Sequence, residues 1–163
     1  MHGYDIIDEV VVDASPDRVW AALIAELKGA RAFWVPANTF EAGATPPETV
    51  GGETLVTVHV KGVDKGGPKL RFTSRTTAVV EKQRLTGEYV DGAFRGVNEY
   101  LLEALPGGST LLSMRFTARP HGWVRHLARV ADIGAEHSAA TRAAFTRLGE
   151  LVRAPRDVVE SAR

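Results

Sequence analysis

Apolar residues follow two different rhythms along this chain, and the rhythms divide it into elements. Residues 4–13 carry a dense run of Ile and Val, which favours a strand. Ala14-Ser15-Pro16-Asp17 then has the chemistry of a helix start. Ser15 can cap, Pro16 suits the first helical position, and Asp17 complements the helix dipole. Val19, Trp20, Leu23 and Ile24 recur at helical spacing and form the buried face of this short helix. A second short helical segment is expected over residues 26–33, ended by Trp34-Val35-Pro36. Residues 43–52 are rich in Gly, Pro and Thr and read as a loop, with a short strand fitting residues 38–41.

From Glu53 onward the rhythm has a period of two. Val56, Val58 and Val60 alternate with Thr57, His59 and Lys61 over residues 54–61, as in a strand with one face buried. Strands are expected over 70–81, 84–90, 94–104 and 110–119. Lys65-Gly66-Gly67-Pro68, Asp91-Gly92 and Pro106-Gly107-Gly108 mark turns between them. Successive hairpins make an antiparallel meander, which twists and curves when long.

The last third returns to a helical rhythm. Trp123, Leu127, Val130, Gly134, His137, Thr141, Ala144, Leu148 and Leu151 fall on one face of a helix over residues 122–153. Arg125, Arg129, Asp132, Glu136, Arg147 and Glu150 fall on the other, and Pro155 marks the stop. Such a helix would be roughly 45 Å long. The upstream helices are too short to cover its stripe, so its partner must be the sheet. The stripe mixes small and polar residues, Gly134, Ser138 and Thr141, with the large ones. That leaves room for a hollow between helix and sheet, and apolar hollows with a few polar groups are typical ligand sites.

Composition narrows the functional classes. The 163 residues suit one domain with a sizeable core, taken here as residues 1–154, with a charged tail over 155–163. Twenty basic and twenty acidic side chains cancel, which argues against nucleic acid as the main partner. No cysteine is present, which excludes disulfides and thiolate chemistry and fits a reducing cytoplasm. No run approaches the ~20 apolar residues that span a bilayer, and the first residues lack a signal-peptide pattern. The five histidines are scattered without ligand spacing, so no metal site is expected. No phosphate loop or nucleophile elbow is present either, and no cofactor is implied.

Several segments resemble START-like, helix-grip proteins, the SRPBCC superfamily. They are Ala14-Ser15-Pro16-Asp17-Arg18-Val19-Trp20 after a first strand, Phe33-Trp34-Val35-Pro36, and Gly92-Ala93-Phe94-Arg95-Gly96-Val97-Asn98-Glu99-Tyr100 leading to Gly108-Ser109-Thr110. His137 followed by Leu148 in the last helix also fits. The resemblance spans roughly residues 4–153 and is closest to the polyketide cyclase/dehydratase-like branch. It implies an α+β fold in which a curved antiparallel sheet wraps a long C-terminal helix, with two short helices after the first strand. It also implies a hydrophobic small-molecule ligand, polyketide-like or polycyclic, and cyclisation with dehydration if the protein is an enzyme. A lipid carrier or sensor, and a protein-interaction module with a filled core, remain open, because this fold hosts many functions. A homodimer also remains open.

The candidate site residues follow from the faces. His137 lies on the apolar stripe, where an imidazole can act as acid or base near neutrality; the plainer reading is a hydrogen-bonded core histidine. Tyr100 and Asn98 share an inward strand face with Leu102, and Met114 and Phe116 lie inward on the next strand. Tyr100 can offer a hydroxyl and Asn98 an amide to a ligand carbonyl; the plainer reading is a packed Tyr100 with a water-bound hydroxyl and an Asn98 that ties two strands together. Tyr89 follows the same logic. The resemblance implies a cavity mouth beside Trp34, which can stack there on a flat aromatic ligand. Trp20 and Trp123 are expected in the core. Arg71, Arg75, Arg95, Arg115 and His59 are expected on the solvent side, and His121 and His126 lie near the start of the last helix.

Overall fold

The computed structural model describes residues 3–129 and 131–153. The expectations for Val130, Pro155 and the 155–163 tail lie outside them. In chain order come β1 (Tyr4–Val12), α1 (Pro16–Leu27), β2 (Asn38–Ala42), β3 (Glu53–His59), β4 (Lys69–Val80), β5 (Arg84–Gly92), β6 (Phe94–Ala104), β7 (Thr110–Pro120), α2 (Val124–Leu127) and α3 (Ile133–Val152). The strands form one antiparallel sheet in the order β1-β7-β6-β5-β4-β3-β2. The first strand therefore joins the far edge of the meander, pairing Tyr4 with Ala118 and Val12 with Thr110.

The sheet curls into a half-barrel. Two register shifts in the β4–β5 pair, between Thr73 and Ser74 and between Thr76 and Ala78, contribute to this. An unpaired residue on one strand of a ladder bends it and increases its twist. α3 lies on the concave side against β1. At Gly134 its backbone comes so near that a Cβ would stand 3.1 Å from both Tyr4 Cδ1 and Ile6 Cδ1.

The interior divides into two apolar clusters. One joins α1 and the second half of α3 to the sheet through Val19, Leu23, Phe33, Leu112, Phe145 and Leu148, all fully buried. The other gathers Phe72, Tyr89, Phe94, Phe116 and Val124 at the opposite end. Phe72 and Phe94 meet edge to face with centroids 5.1 Å apart, and Phe94 and Phe116 at 5.5 Å, the arrangement that ring quadrupoles favour.

Three expectations about the helices are corrected. The C-terminal rod is two pieces, not one. Asp132 Oδ1 accepts the Ala135 amide at 2.9 Å, so its side chain caps a new helix start and α3 begins there. Its 20 residues span about 30 Å. Trp123 precedes the short α2 and is 57% exposed, and Leu151 near the end of α3 is 53% exposed; neither belongs to the core.

The second helical segment over residues 26–33 is not formed. Gly29 and Arg31 adopt φ of 104° and 52°, which ends helical propagation after α1. The returning backbone is instead captured by Glu26, only 1% exposed. Its carboxylate accepts the amides of Ala32 at 2.7 Å, Phe33 at 3.1 Å and Trp34 at 2.7 Å. Arg147 of α3 donates to the Phe33 carbonyl at 3.1 Å. The loop carrying Trp34 is thus held from both helices.

Replacing Glu26 with Gln keeps the shape but turns one acceptor into a donor facing those amides. Glu26→Gln is expected to lower stability by about 1–3 kcal/mol, read as a lower urea midpoint. An unchanged midpoint would show that the carboxylate does not hold the loop.

Candidate functional site: an internal cavity

Between the two clusters the concave face is not filled. A cavity of about 250 Å³ lies between the sheet and the first turns of α3, just under the roughly 300–1,000 Å³ of typical ligand sites. Strand alternation turns Phe72, Ser74, Tyr89, Asn98, Tyr100 and Phe116 toward it, and helical spacing brings in Ile133, His137 and Ala140. All seven residues singled out in the sequence, Trp34, Tyr89, Asn98, Tyr100, Met114, Phe116 and His137, line this one space. Among the cavity-lining residues only Glu136 carries a formal charge at neutral pH, and it is exposed.

His137 stacks on Phe116 with centroids 4.2 Å apart and planes 24° from parallel. The Thr141 hydroxyl donates to the His137 carbonyl at 2.8 Å. The same hydroxyl lies 3.4 Å from His137 Nε2, and which of the two donates depends on the ring's tautomer. Burial pushes the imidazole down to about 4, with Asp8 opposing part of the fall. The expectation of a histidine titrating near neutrality is therefore corrected: at pH 7 this ring is neutral. Asp8 itself is buried on β1 and accepts from Ser138 of α3 at 2.9 Å.

Burial likewise raises the Tyr100 phenol, while the nearby Trp34 indole partly counteracts this. Burial also raises Tyr89, whose hydroxyl lies within reach of the Asn98 amide. Both phenols stay protonated and can donate a hydrogen bond to a ligand.

Trp34 is 1% exposed and forms wall, not mouth. It packs edge-on to Phe40 at 6.0 Å and Phe145 at 6.5 Å, because the Glu26 clamp draws its loop inward. Its Nε1 is buried without a partner that meets hydrogen-bond geometry.

His59 is also corrected. It lines the cavity at the end of β3, shares a hydrogen bond with Thr39 Oγ1 at 2.8 Å through Nε2, and has a buried, unpartnered Nδ1. The loop after β3 is tied to the segment before β2, with the Val63 amide donating to the Pro36 carbonyl at 2.8 Å. Burial first, then the Lys69, Arg31 and Arg71 cations, lower its pKa.

Arg75 pairs outward with Glu53 and Arg115 with Asp5. Arg71, Arg95, His121 and His126 do not line the cavity. Among the described residues no group of three His, Cys, Asp or Glu could hold a metal ion.

Sequence reasoning allowed that Asn98 ties two strands together, but missed its partner and the polar band the pair forms across the concave face. Asn98 on β6 donates through Nδ2 to Ser74 Oγ on β4 at 2.8 Å, reaching over the intervening β5. It crosses at Gly87, which pairs with Asn98 in the ladder. A Cβ there would collide with Ser74 Oγ and stand 3.1 Å from Asn98 Nδ2. The available signal was the glycine itself, since a strand-interior glycine marks close approach of another group. Thr54 pairs with Ser74 on β3 and extends the band.

A model of the family described as "Polyketide cyclase / dehydrase and lipid transport" matches residues 5–152. The chain belongs to this polyketide cyclase/dehydrase and lipid transport family. Its fold is shared by protein CV1439 from Chromobacterium violaceum at 18% identity, with a TM-score of 0.65 over 93% of this chain and 99% of that one. TTHA0849 from Thermus thermophilus shares it at 16% identity and a TM-score of 0.70, over 91% and 97%. The major latex-like protein 151 of Panax ginseng does so at 9% identity and 0.67, over 92% and 97%. At these identities the likeness is one of fold. No curated protein matches. Membership of the polyketide cyclase/dehydrase family, together with the apolar cavity, supports a role in binding hydrophobic small molecules. Among the described residues no helix is long and apolar enough to cross a membrane.

The depressed His137 pKa has a consequence for stability. The unfolded chain, with an ordinary imidazole near 6.5, binds the proton before the folded one does. The histidine's contribution is therefore complete above about pH 6.5 and is lost as pH falls toward 4. The loss reaches up to about 3 kcal/mol. Denaturation curves at pH 7 and pH 4.5 should show a smaller acid loss for His137→Gln than for the wild type. Equal losses would show that the ring protonates freely in the fold.

Proposed function

We propose that the protein binds an uncharged, hydrophobic small molecule, polyketide-like or polycyclic and compact, inside the cavity. The observation that carries this reading is the internal cavity of about 250 Å³ with mostly apolar walls and, at its lining, only the exposed Glu136 charged. A charged ligand would lose its hydration there without gaining a counter-ion. A domain used only for protein contacts has no need of such a hollow, which counts against the filled-core alternative.

A second reading, cyclisation with dehydration, draws support from Tyr100 and His137 lining the same space. Tyr100 would donate a hydrogen bond to a ketone. The unprotonated ring nitrogen of His137 would accept a proton from a carbon flanked by two carbonyls. The resulting enolate carbon would attack the polarised ketone, the alkoxide formed would take the proton back from His137, and the attacking carbon's second hydrogen would then leave with the new hydroxyl as water. The cavity would select the reacting carbons by holding the chain folded. An imidazole with a pKa of about 4 is a weak base at pH 7, so carriage or sensing of the ligand is the simpler use of the site.

Native mass spectrometry of freshly purified protein should find a neutral co-purified molecule, absent from a Met114→Trp variant whose indole fills the cavity. If neither a bound molecule nor a thermal shift with neutral polycyclic compounds is seen, ligand binding is wrong. With a turned-over substrate in hand, unchanged rates in both His137→Ala and Tyr100→Phe would remove the catalytic reading.

A further inference from the structure

We infer that the Asn98–Ser74 bridge over Gly87 is the specificity element of the cavity, selecting an uncharged ligand with one polar group, a ketone or hydroxyl, in the middle of an apolar body. The inference rests on the ligand-binding reading and adds what that ligand must carry.

The ladder sets Phe116 directly opposite Asn98 and Tyr89 directly opposite Ser74, with Leu85, Tyr100 and Met114 one step further along the same face. The bridge thus lies among aromatic and aliphatic side chains, in a lining whose other polar groups include Thr54, Thr76, His59 and His137. Its hydrogen-bonding capacity is not exhausted by the 2.8 Å contact. When the amide donates to Ser74, the serine proton and the Asn98 oxygen remain. When the serine donates instead, the amide N–H groups and the serine lone pairs remain. In either orientation one donor and one acceptor are left. Asn98 is 8% exposed and Ser74 is half-buried, so these groups face the cavity, and a ligand that covers them without a hydrogen bond removes their hydration at a cost. A ligand carbonyl or hydroxyl at that height satisfies them, and a pure hydrocarbon does not. Tyr89, within reach of the same amide, keeps its proton and adds a second donor beside the bridge. Gly87 makes the bridge possible, because any side chain there displaces Ser74 Oγ and separates the pair.

The test uses three probes of similar shape: naphthyl methyl ketone, ethylnaphthalene and naphthoate. Isothermal titration of the wild type should show the ketone binding about tenfold tighter than the hydrocarbon, the worth of one neutral hydrogen bond, and no binding of the carboxylate. Asn98→Leu, which is nearly isosteric, should bind ketone and hydrocarbon within about twofold of each other. Gly87→Ala should do the same by a different route, and circular dichroism would establish that each variant is folded. Wild-type protein that binds both neutral probes equally, or a folded Asn98→Leu that keeps the preference, would overturn the inference while leaving ligand binding intact. Binding of none of the three by the wild type would overturn the ligand-binding reading and this inference with it.

Discussion

The sizes of the side chains along α3 decide where this interior is solid and where it is hollow. In the second half of the helix Ala144, Phe145, Leu148 and Val152 are buried against α1 and the sheet, and the packing there is close. In the first half the inward positions are mostly small, Gly134, Ser138, Ala140 and Thr141, with Ile133 and His137 as the larger ones. Gly134 lets the backbone settle on Tyr4 and Ile6 of the edge strand, and the curl of the sheet carries β3 to β6 away from the helix. A helix docked at one edge of a curved surface cannot also fill its centre unless its side chains are long. Most of these are not, and the cavity is the geometric remainder.

The remainder is electrically quiet. Burial keeps His137 unprotonated and both tyrosines protonated at neutral pH. The arginines of the strands point outward, where Asp5 and Glu53 meet two of them. What the interior offers is shape, aromatic surface and a narrow set of neutral hydrogen-bonding groups. Such a site discriminates by fit and by matching of polar atoms, and it exerts little pull on ions. The buried carboxylate of Glu26 does not alter this, because its oxygens are taken by three backbone amides. Its work is to bring Trp34 into the wall.

Much of this was legible from residue spacing. Period-two alternation sorted Asn98, Tyr100, Met114 and Phe116 onto inward faces, and Asp91-Gly92 marked the hairpin that aligns β5 with β6. Helical spacing aimed His137 at the same space. Features that depend on distant contacts were not legible. Glu26 reads as one more helix carboxylate until the loop after α1 turns back onto it. Asp132 reads as part of an outward polar face until its cap divides the rod, which also frees Trp123 from the core. His59 belongs to the outer face by alternation, yet at the end of β3 it lines the cavity and bonds to Thr39 of β2. Gly87 signals a close approach but not that Ser74 and Asn98 meet above it, because their pairing depends on the register of three strands. The protonation of His137 follows from burial, which spacing alone does not measure.

The account stands or falls on the hollow between α3 and the sheet. The most direct measurement is a crystal structure determined under xenon pressure, since apolar cavities take up the gas. The account predicts a xenon atom among Phe72, Tyr89, Phe116 and His137, with the side-chain positions otherwise unchanged. Electron density in which those side chains close on one another and leave no xenon would contradict it.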